Sequence, residues 1–355
     1  MSSVKQLEYS NAATRAGLLY VTDALAGITR RRAGKGWSYF DAEGARISDE
    51  NIRKRLNGLA LPPAWSNVWI CPHPDGHILA TARDARGRKQ YHYHPLYRAA
   101  RDKSKFSHMF KFSEILPALR QRVERDLRAG EQTRRQLLAS VVWLLDKTLI
   151  RVGNDEYART NQSYGLTTML RKHARVTGTL LRFSFRGKSG VDHIVAVDDP
   201  RLARIVQRCE HLHGQEIFQY VDELGQSRPI LSDDVNEYLR EVSGRDITAK
   251  DFRTWGGTMV AAVTLRALGP AASRKEAERN ILHALDTVAE RLGNTRAVCR
   301  KYYVHPAVLE AYHLGLTAPH SEVTETFNAQ HEMSHASLRR DELVVLNFLQ
   351  KTAAR

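Results

Sequence analysis

The stretch SRKEAERNILHALDTVAERLGNTRAVCRKYYVHP, residues 273–306, decides how this chain folds. Ser273 and Glu276 form a capping box, and Ala277, Ile281, Leu285, Val288 and Leu292 then recur at three- and four-residue spacing. That spacing lays one apolar stripe along a helix, and Gly293 ends it. Asn294 through Tyr303 therefore starts just past a helix end, placing a polar amide and the cluster Arg300-Lys301-Tyr302-Tyr303-Val304-His305-Pro306 against a helical body. A second basic motif, Lys250-Asp251-Phe252-Arg253, precedes it.

Working outward, helical periodicity begins near residue 105. Ser113 is expected to cap a helix bearing Leu116, Leu119, Val123 and Leu127, and a following helix is expected to bury Leu137, Val141, Leu144, Leu145 and Thr148 on one side. Between the helical regions, Leu180–Phe185 and Val191–Val197 alternate as two strands around the turn Arg186-Gly187-Lys188-Ser189-Gly190. The first hundred or so residues read as mostly β. Gly36–Phe40 is an aromatic strand, Val68–Cys71 meets His77–Ala80 across Pro74-Asp75-Gly76, and Lys89–Tyr93 follows another turn. Ser48 is expected to cap a short helix carrying Ile52 and Leu56. The expected class is α+β, with a small β-rich domain over residues 1–105, a larger mostly helical domain with a β-hairpin over 106–318, and a polar, partly helical tail over 319–355.

Composition narrows the partners. The net charge is +15, which attracts polyanions at long range and favours nucleic acid. No apolar run is long enough to cross a bilayer, and the start, Met1-Ser2-Ser3-Val4-Lys5-Gln6, lacks the apolar core of a secretory signal. A cytoplasmic protein without membrane partners is expected. Cys71, Cys209 and Cys299 lie far apart, matching neither a disulfide framework nor a zinc site.

Tyr303, Arg151, Arg253, Asn294 and Lys188 together suit attack on a phosphodiester. Such chemistry needs a nucleophile, donors for the nonbridging oxygens and an acid for the leaving oxygen. Arginine suits the second need because its fork is always charged and matches two phosphate oxygens. Each residue alone is ordinary in a chain with 54 Lys and Arg, so the signal is the ordered set.

That set resembles the type IB DNA topoisomerases, in their poxvirus-like and bacterial branch. The similarity runs from Gly87-Arg88-Lys89-Gln90-Tyr91-His92-Tyr93 to His305-Pro306. Leu149-Ile150-Arg151-Val152-Gly153-Asn154 corresponds to the family's first arginine motif, Phe185-Arg186-Gly187-Lys188 to its hairpin lysine, Lys250-Asp251-Phe252-Arg253 to its second arginine, and Tyr303 to its nucleophile nine residues after Asn294. The resemblance implies the catalytic fold shared with tyrosine recombinases. It also implies a monomer clamping duplex DNA, nicked through a 3′-phosphotyrosyl intermediate, swivelled and religated to remove supercoils, without ATP, metal or other cofactor. A nucleoid setting follows if the source is bacterial. Arg83, Arg88, Lys89, Gln90, Tyr91 and Tyr93 are then expected to contact DNA, Tyr157 a phosphate, and Lys250 to act as a supporting cation near the cleft.

Two features depart from the viral pattern or leave it open. Asn294 stands where poxviral members have histidine, as in bacterial members; an amide donates a neutral hydrogen bond but supplies no proton, so acid work falls to Lys188. Tyr302 and Tyr303 are adjacent, and on a helix they would point about 100° apart, so one alone can face a phosphate; family spacing favours Tyr303. Tyrosine recombinases share the chemistry but usually carry histidine where this chain has Lys250. A DNA-binding module without catalysis is the remaining alternative, and five chemically competent positions argue against it.

Other motifs carry less. His331-Glu332-Met333-Ser334-His335 matches H-E-x-x-H, yet it sits in a polar stretch without an evident third ligand. The Gly27–Lys35 segment has the wrong spacing for a phosphate loop. Cys71, His73 and His77 read as strand-end residues.

Overall fold

The computed structural model describes residues 3–34, 36–85, 87–128, 133–209, 212, 214–319 and 339–353. Two compact units divide the chain, Met1–Ser107 and His108–Arg355.

In the first unit α1 (Ser3–Arg15) precedes β1 (Ile28–Ala33) and β2 (Gly36–Phe40), then α2 (Glu50–Gly58), β3 (Ser66–Ile70), β4 (Ile78–Arg83) and β5 (Lys89–Tyr93). The strands form one antiparallel sheet in the order β2-β1-β3-β4-β5. Alternation puts Ile28, Tyr39, Val68, Ile70, Ala80 and Ala82 into a small core with Leu56 of α2. The cap of α2 is Asp49 and not Ser48, because the Asp49 carboxylate accepts the Ile52 N–H. β1, whose Thr29–Arg32 run hid its pairing with β2, was not expected from the sequence.

The unit division falls within α3 (Pro95–Arg128). Ser113 therefore lies inside a helix and caps nothing. Its hydroxyl donates to the Phe110 carbonyl at 2.7 Å, the local bond that makes serine tolerable mid-helix. Tyr97, in the first turn of α3, is buried beside His77 and Tyr93.

The second unit is built around α4 (Arg134–Thr148). Leu138, Ala139, Val142 and Trp143 are buried as well as Leu137, Val141, Leu144 and Leu145, so the one-sided reading of this helix is corrected: between Leu137 and Leu145 it is packed on every side, and its charged residues lie at the two ends. There follow α5 (Asp155–Asn161), the sheet β6 (Ala174–Thr177), β7 (Leu180–Arg186) and β8 (Asp192–Asp198), α6 (Pro200–Cys209), the pair β9 (Gln219–Val221) and β10 (Ser227–Pro229), and α7 (Ser232–Ser243). The chain continues through α8 (Ala249–Leu268), α9 (Arg274–Leu292), α10 (Arg296–Tyr302), α11 (Pro306–His313) and α12 (Arg340–Ala353). In α9 the expected stripe is buried at every position, Ser273 caps it, and Gly293 closes it with φ 56°. α12 buries Val345 and Leu349 in the same core. It also places Glu342 against Arg120 of α3 (2.8 Å) and the Trp255 indole N–H of α8 (3.0 Å), while Arg120 reaches Asp146 of α4 at 2.9 Å.

Candidate active site

Three chain segments meet at the end of α9. After α4, Leu149 adopts a left-handed conformation (φ 57°), turning the chain so that Arg151 follows in an extended run. That run is pinned by Leu166 N–H on the Arg151 carbonyl (2.9 Å) and by Thr167 N–H on the Val152 carbonyl (2.7 Å). α8 begins with Asp251 accepting from both the Thr248 N–H and its hydroxyl, so the acidic residue of the Lys250–Arg253 motif is a helix cap. One turn later Gly256 and Gly257 face the other two segments. A Cβ at Gly257 would lie 2.8 Å from the Tyr303 carbonyl, and one at Gly256 would meet Leu149 side-chain atoms, so these glycines allow the Leu149 side chain and the Tyr303 backbone onto the helix that carries Arg253. Thr258 completes the seam, with its hydroxyl near the Tyr303 carbonyl (3.2 Å) and accepting the His305 N–H (3.1 Å).

The two guanidiniums are held by carbonyls and an amide. Arg253, 4% exposed, donates to the Leu149 carbonyl and to the Leu292 carbonyl (2.8 Å), and its guanidinium sits 5.2 Å from the centre of the Tyr303 ring. Arg151 donates to the Gly293 carbonyl (3.0 Å) and to Asn294 Oδ1 (2.6 Å). Burial, then Arg253, pushes Arg151 down to about 10, with Tyr303 and Cys299 acting in the other direction. Burial likewise lowers Arg253. Both remain cations at neutral pH, at the cost of desolvation. Arg253 Nε and Asn294 Nδ2 are buried donors with no acceptor among the described residues. A site with two desolvated cations, no carboxylate among its contacts in the described residues and two idle donors is complementary to an anion.

Tyr303 ends α10 as its C-cap, half-buried, while Tyr302 is 39% exposed with the Lys301 ammonium over its ring. Lys188 lies on the short turn between β7 and β8, exposed, its ammonium 5.4 Å from the centre of the Tyr157 ring. Arg151 is thus joined to Asn294 and Arg253 to Tyr303, the two arginines feeling each other's charge, and Lys188 stands with Tyr157. Lys250 is exposed on the first turn of α8, and no described contact joins its side chain to Tyr303 or either arginine.

The remaining residues expected to meet DNA belong to the first unit. Lys89, Gln90, Tyr91 and Tyr93 lie on β5, with Tyr91 and Tyr93 stacked at 5.8 Å. Lys89 pairs with Asp23 (2.6 Å), while Arg88 (2.7 Å) and Gln90 (2.9 Å) both engage Asp84. Arg83, ending β4, donates to the Gly87 carbonyl (2.7 Å). Tyr93 is half-buried among His77 and Tyr97, leaving Tyr91 the more open ring.

Sequence reasoning missed three residues here. Thr258 and Cys299 left no sequence signal, since buried threonine and cysteine occur throughout helices; the Cys299 thiol is pushed up to about 11 by burial, against the charge of Arg253 and Arg151. His193 did leave one, as a polar ring on the inward side of an alternating strand. Among the described residues no three His, Cys, Asp or Glu side chains gather as a metal site, and no helix is long and apolar enough to cross a membrane. His331 and His335 lie outside the described residues.

Known proteins share both units. A family profile described as "Eukaryotic DNA topoisomerase I, catalytic core" matches residues 94–329, and one described as "Bacterial DNA topoisomerase IB, N-terminal domain" matches residues 36–84. A DNA topoisomerase 1B of Acanthamoeba polyphaga mimivirus is 30% identical over 296 residues, 81% of this chain and 88% of the viral protein. A DNA topoisomerase 1B of Vaccinia virus (strain Copenhagen) is 21% identical over 238 residues, 66% of this chain and 72% of its own.

Proposed function

Because the chain belongs to the type IB DNA topoisomerases, isomerases that act on DNA, we propose that it relaxes supercoiled duplex DNA through a covalent 3′-phosphotyrosyl intermediate on Tyr303. The observation that carries this reading is the pair of desolvated guanidiniums, the half-buried Arg151 and the buried Arg253, beside Tyr303 with no carboxylate among their contacts in the described residues. A scissile phosphate supplies the missing negative charge, and the charge grows in the pentacoordinate transition state, so these donors act most strongly where catalysis needs them.

In the reaction the Tyr303 oxygen bonds to phosphorus as the bond to the 5′-oxygen breaks. The phenolic proton passes to water. Arg151, Arg253 and Asn294 hold the nonbridging oxygens, and Lys188 gives a proton to the leaving 5′-oxygen. Asn294 supplies its idle Nδ2–H while its Oδ1 orients Arg151. Tyr157 contacts a neighbouring phosphate, and Lys250 adds positive charge at the rim. The cut strand swivels about its partner, and the 5′-hydroxyl attacks the phosphotyrosine to restore the duplex. The ester keeps the energy of the broken bond, so the cycle needs neither nucleotide nor metal. Residues 1–105 with Arg83, Arg88, Lys89, Gln90, Tyr91 and Tyr93 form the DNA-clamp domain, residues 106–318 the catalytic domain, and the protein acts as a cytoplasmic monomer.

Supercoiled plasmid incubated in EDTA without nucleotide tests the reading directly. A ladder of partly relaxed topoisomers is expected, together with a protein–DNA adduct after denaturant is added. Strand exchange between paired sites without relaxation would move the chain to recombination, and tight binding with neither reaction would leave it a passive module.

A further inference from the structure

On the inward face of β8, His193 takes no part in the roles assigned above. It pairs in register with Phe185 of β7, and the two rings stack 5.0 Å apart at 11°. Two glycines face the imidazole from other directions. A Cβ built at Gly187 would lie 2.6 Å from two of its atoms, and one built at Gly293 would overlap the ring. Gly187 immediately precedes Lys188. Gly293 immediately precedes Asn294, and its carbonyl accepts from Arg151. The imidazole thus occupies the gap between the turn that carries the lysine and the turn that carries the asparagine, and it lines the same cleft as Arg151 and Arg253.

Outside the hairpin the Lys188 turn is held at its start by the Tyr164 N–H on the Arg186 carbonyl (2.8 Å) and by the Lys188 ammonium over the Tyr157 ring. Gly187 N–H bonds the Val191 carbonyl (2.7 Å) and Gly190 N–H the Gly187 carbonyl (3.1 Å), and both bonds are internal to the hairpin. They fix the turn's shape and not its distance from the end of α9. On the side that faces the end of α9, the His193 ring is what fills the space between the two turns. Burial, then Arg151 and Arg253, lowers the pKa of His193, against an opposing effect of Asp192, so the ring between these segments is the neutral one.

We propose that His193 is a positioning residue: its flat ring, clamped by Phe185, spaces the Lys188 turn against the Gly293–Asn294 turn so that the ammonium reaches the leaving 5′-oxygen. The proposal rests on the reading of Lys188 as the acid. Shape rather than a ring nitrogen carries the role, because the contacts run through a stacked face and two Cβ-less backbones.

Single-turnover cleavage of a duplex with an ordinary 5′-bridging oxygen, compared with one carrying sulfur there, tests it, since a thiolate leaves without a proton. His193→Ala is expected to slow cleavage of the oxygen substrate by roughly 10²-fold, the scale of a misplaced catalytic group, and to recover most of that on sulfur. His193→Phe, which keeps the flat ring, is expected to lie within about tenfold of the parent on oxygen. Lys188→Ala run in parallel separates the two readings. If it fails to recover on sulfur, the acid assignment falls and this proposal with it. If it recovers but His193→Ala loses equally on both substrates, or loses nothing, the spacer role alone is overturned. A phenylalanine variant no better than alanine also overturns it. Should the alanine variant melt below the assay temperature, His193→Met carries the same comparison.

Discussion

At the scale of single residues, two adjacent tyrosines differ in everything but identity. Tyr303 N–H bonds the Cys299 carbonyl at 2.9 Å, its own carbonyl meets Thr258, and its ring lies under Arg253, whereas Tyr302 faces outward on the last turn of α10. Tyr303→Phe should therefore bind DNA yet leave no covalent adduct on a denaturing gel, and Tyr302→Phe should still form it; an adduct surviving in Tyr303→Phe contradicts the assignment. A second expectation concerns protons. Burial lowers His77, His92, His173 and His193 from the ordinary 6.5. The unfolded chain thus takes up protons at a higher pH than the folded one, so stability is full above about 6.5 and is lost as pH falls from there toward the depressed folded values. Asp23 and Asp199, lowered from 3.8, lose their contribution only below that value, while Asp251, raised by burial, acts in the opposite sense. Because four histidines oppose one aspartate, the melting temperature should drop between pH 7.5 and 5.5; a constant or rising value contradicts the balance.

At the scale of elements, α8 shows a site requirement overriding a helix requirement. Two consecutive glycines inside a helix cost about 1 kcal/mol each relative to alanine, yet Gly257 admits the Tyr303 carbonyl. Gly257→Ala should therefore lower thermal stability, because crowding a backbone carbonyl outweighs the gain in helix propensity, and cleavage should fall by about tenfold or more because the tyrosine backbone must move. Unchanged single-turnover cleavage would show that the close approach is incidental. α12 braces the same helix differently, through Glu342 to Trp255 and Arg120. Glu342→Ala strips a buried cation of one partner and should cost about 3 kcal/mol or more in a denaturant titration; a loss under about 1 kcal/mol would make the network peripheral. These elements also mark what the sequence disclosed. The α9 stripe, its Ser273 cap and the β7–β8 alternation were legible because period and capping chemistry are local. α3 was not, since Ser113 looks the same as a cap and as a mid-helix hydroxyl, and α4 hid its second face because neighbours from distant sequence cover it. Gly293 was read as a helix stop, which it is; its second duty, admitting the His193 ring, depends on a strand a hundred residues earlier.

At the scale of the whole molecule, a charge of +15 leaves open which cations meet DNA, and the pairing pattern separates them. The ordered set of Arg151, Lys188, Arg253, Asn294 and Tyr303 was readable because its chemistry is distinctive, but the basic segment around β5 was readable only as a group. Its members differ once their partners are seen. Arg83 bonds a backbone carbonyl, whereas Lys89 is held by Asp23 at 2.6 Å and Arg88 by Asp84 at 2.7 Å. A cation that already neutralises a carboxylate releases no net counterion on meeting a phosphate, because the abandoned carboxylate gathers one in its place. With about six phosphates neutralised, affinity for duplex DNA should fall roughly 10³-fold between 50 and 200 mM salt. Arg83→Ala should then reduce the magnitude of the log–log salt slope by about 0.9, one phosphate's share, and Lys89→Ala by distinctly less. Filter-binding titrations of the two variants across a salt series measure this. Equal changes in slope would mean that Lys89 does not keep its bond to Asp23 in the free protein, and no change for Arg83→Ala would remove that residue from the DNA interface.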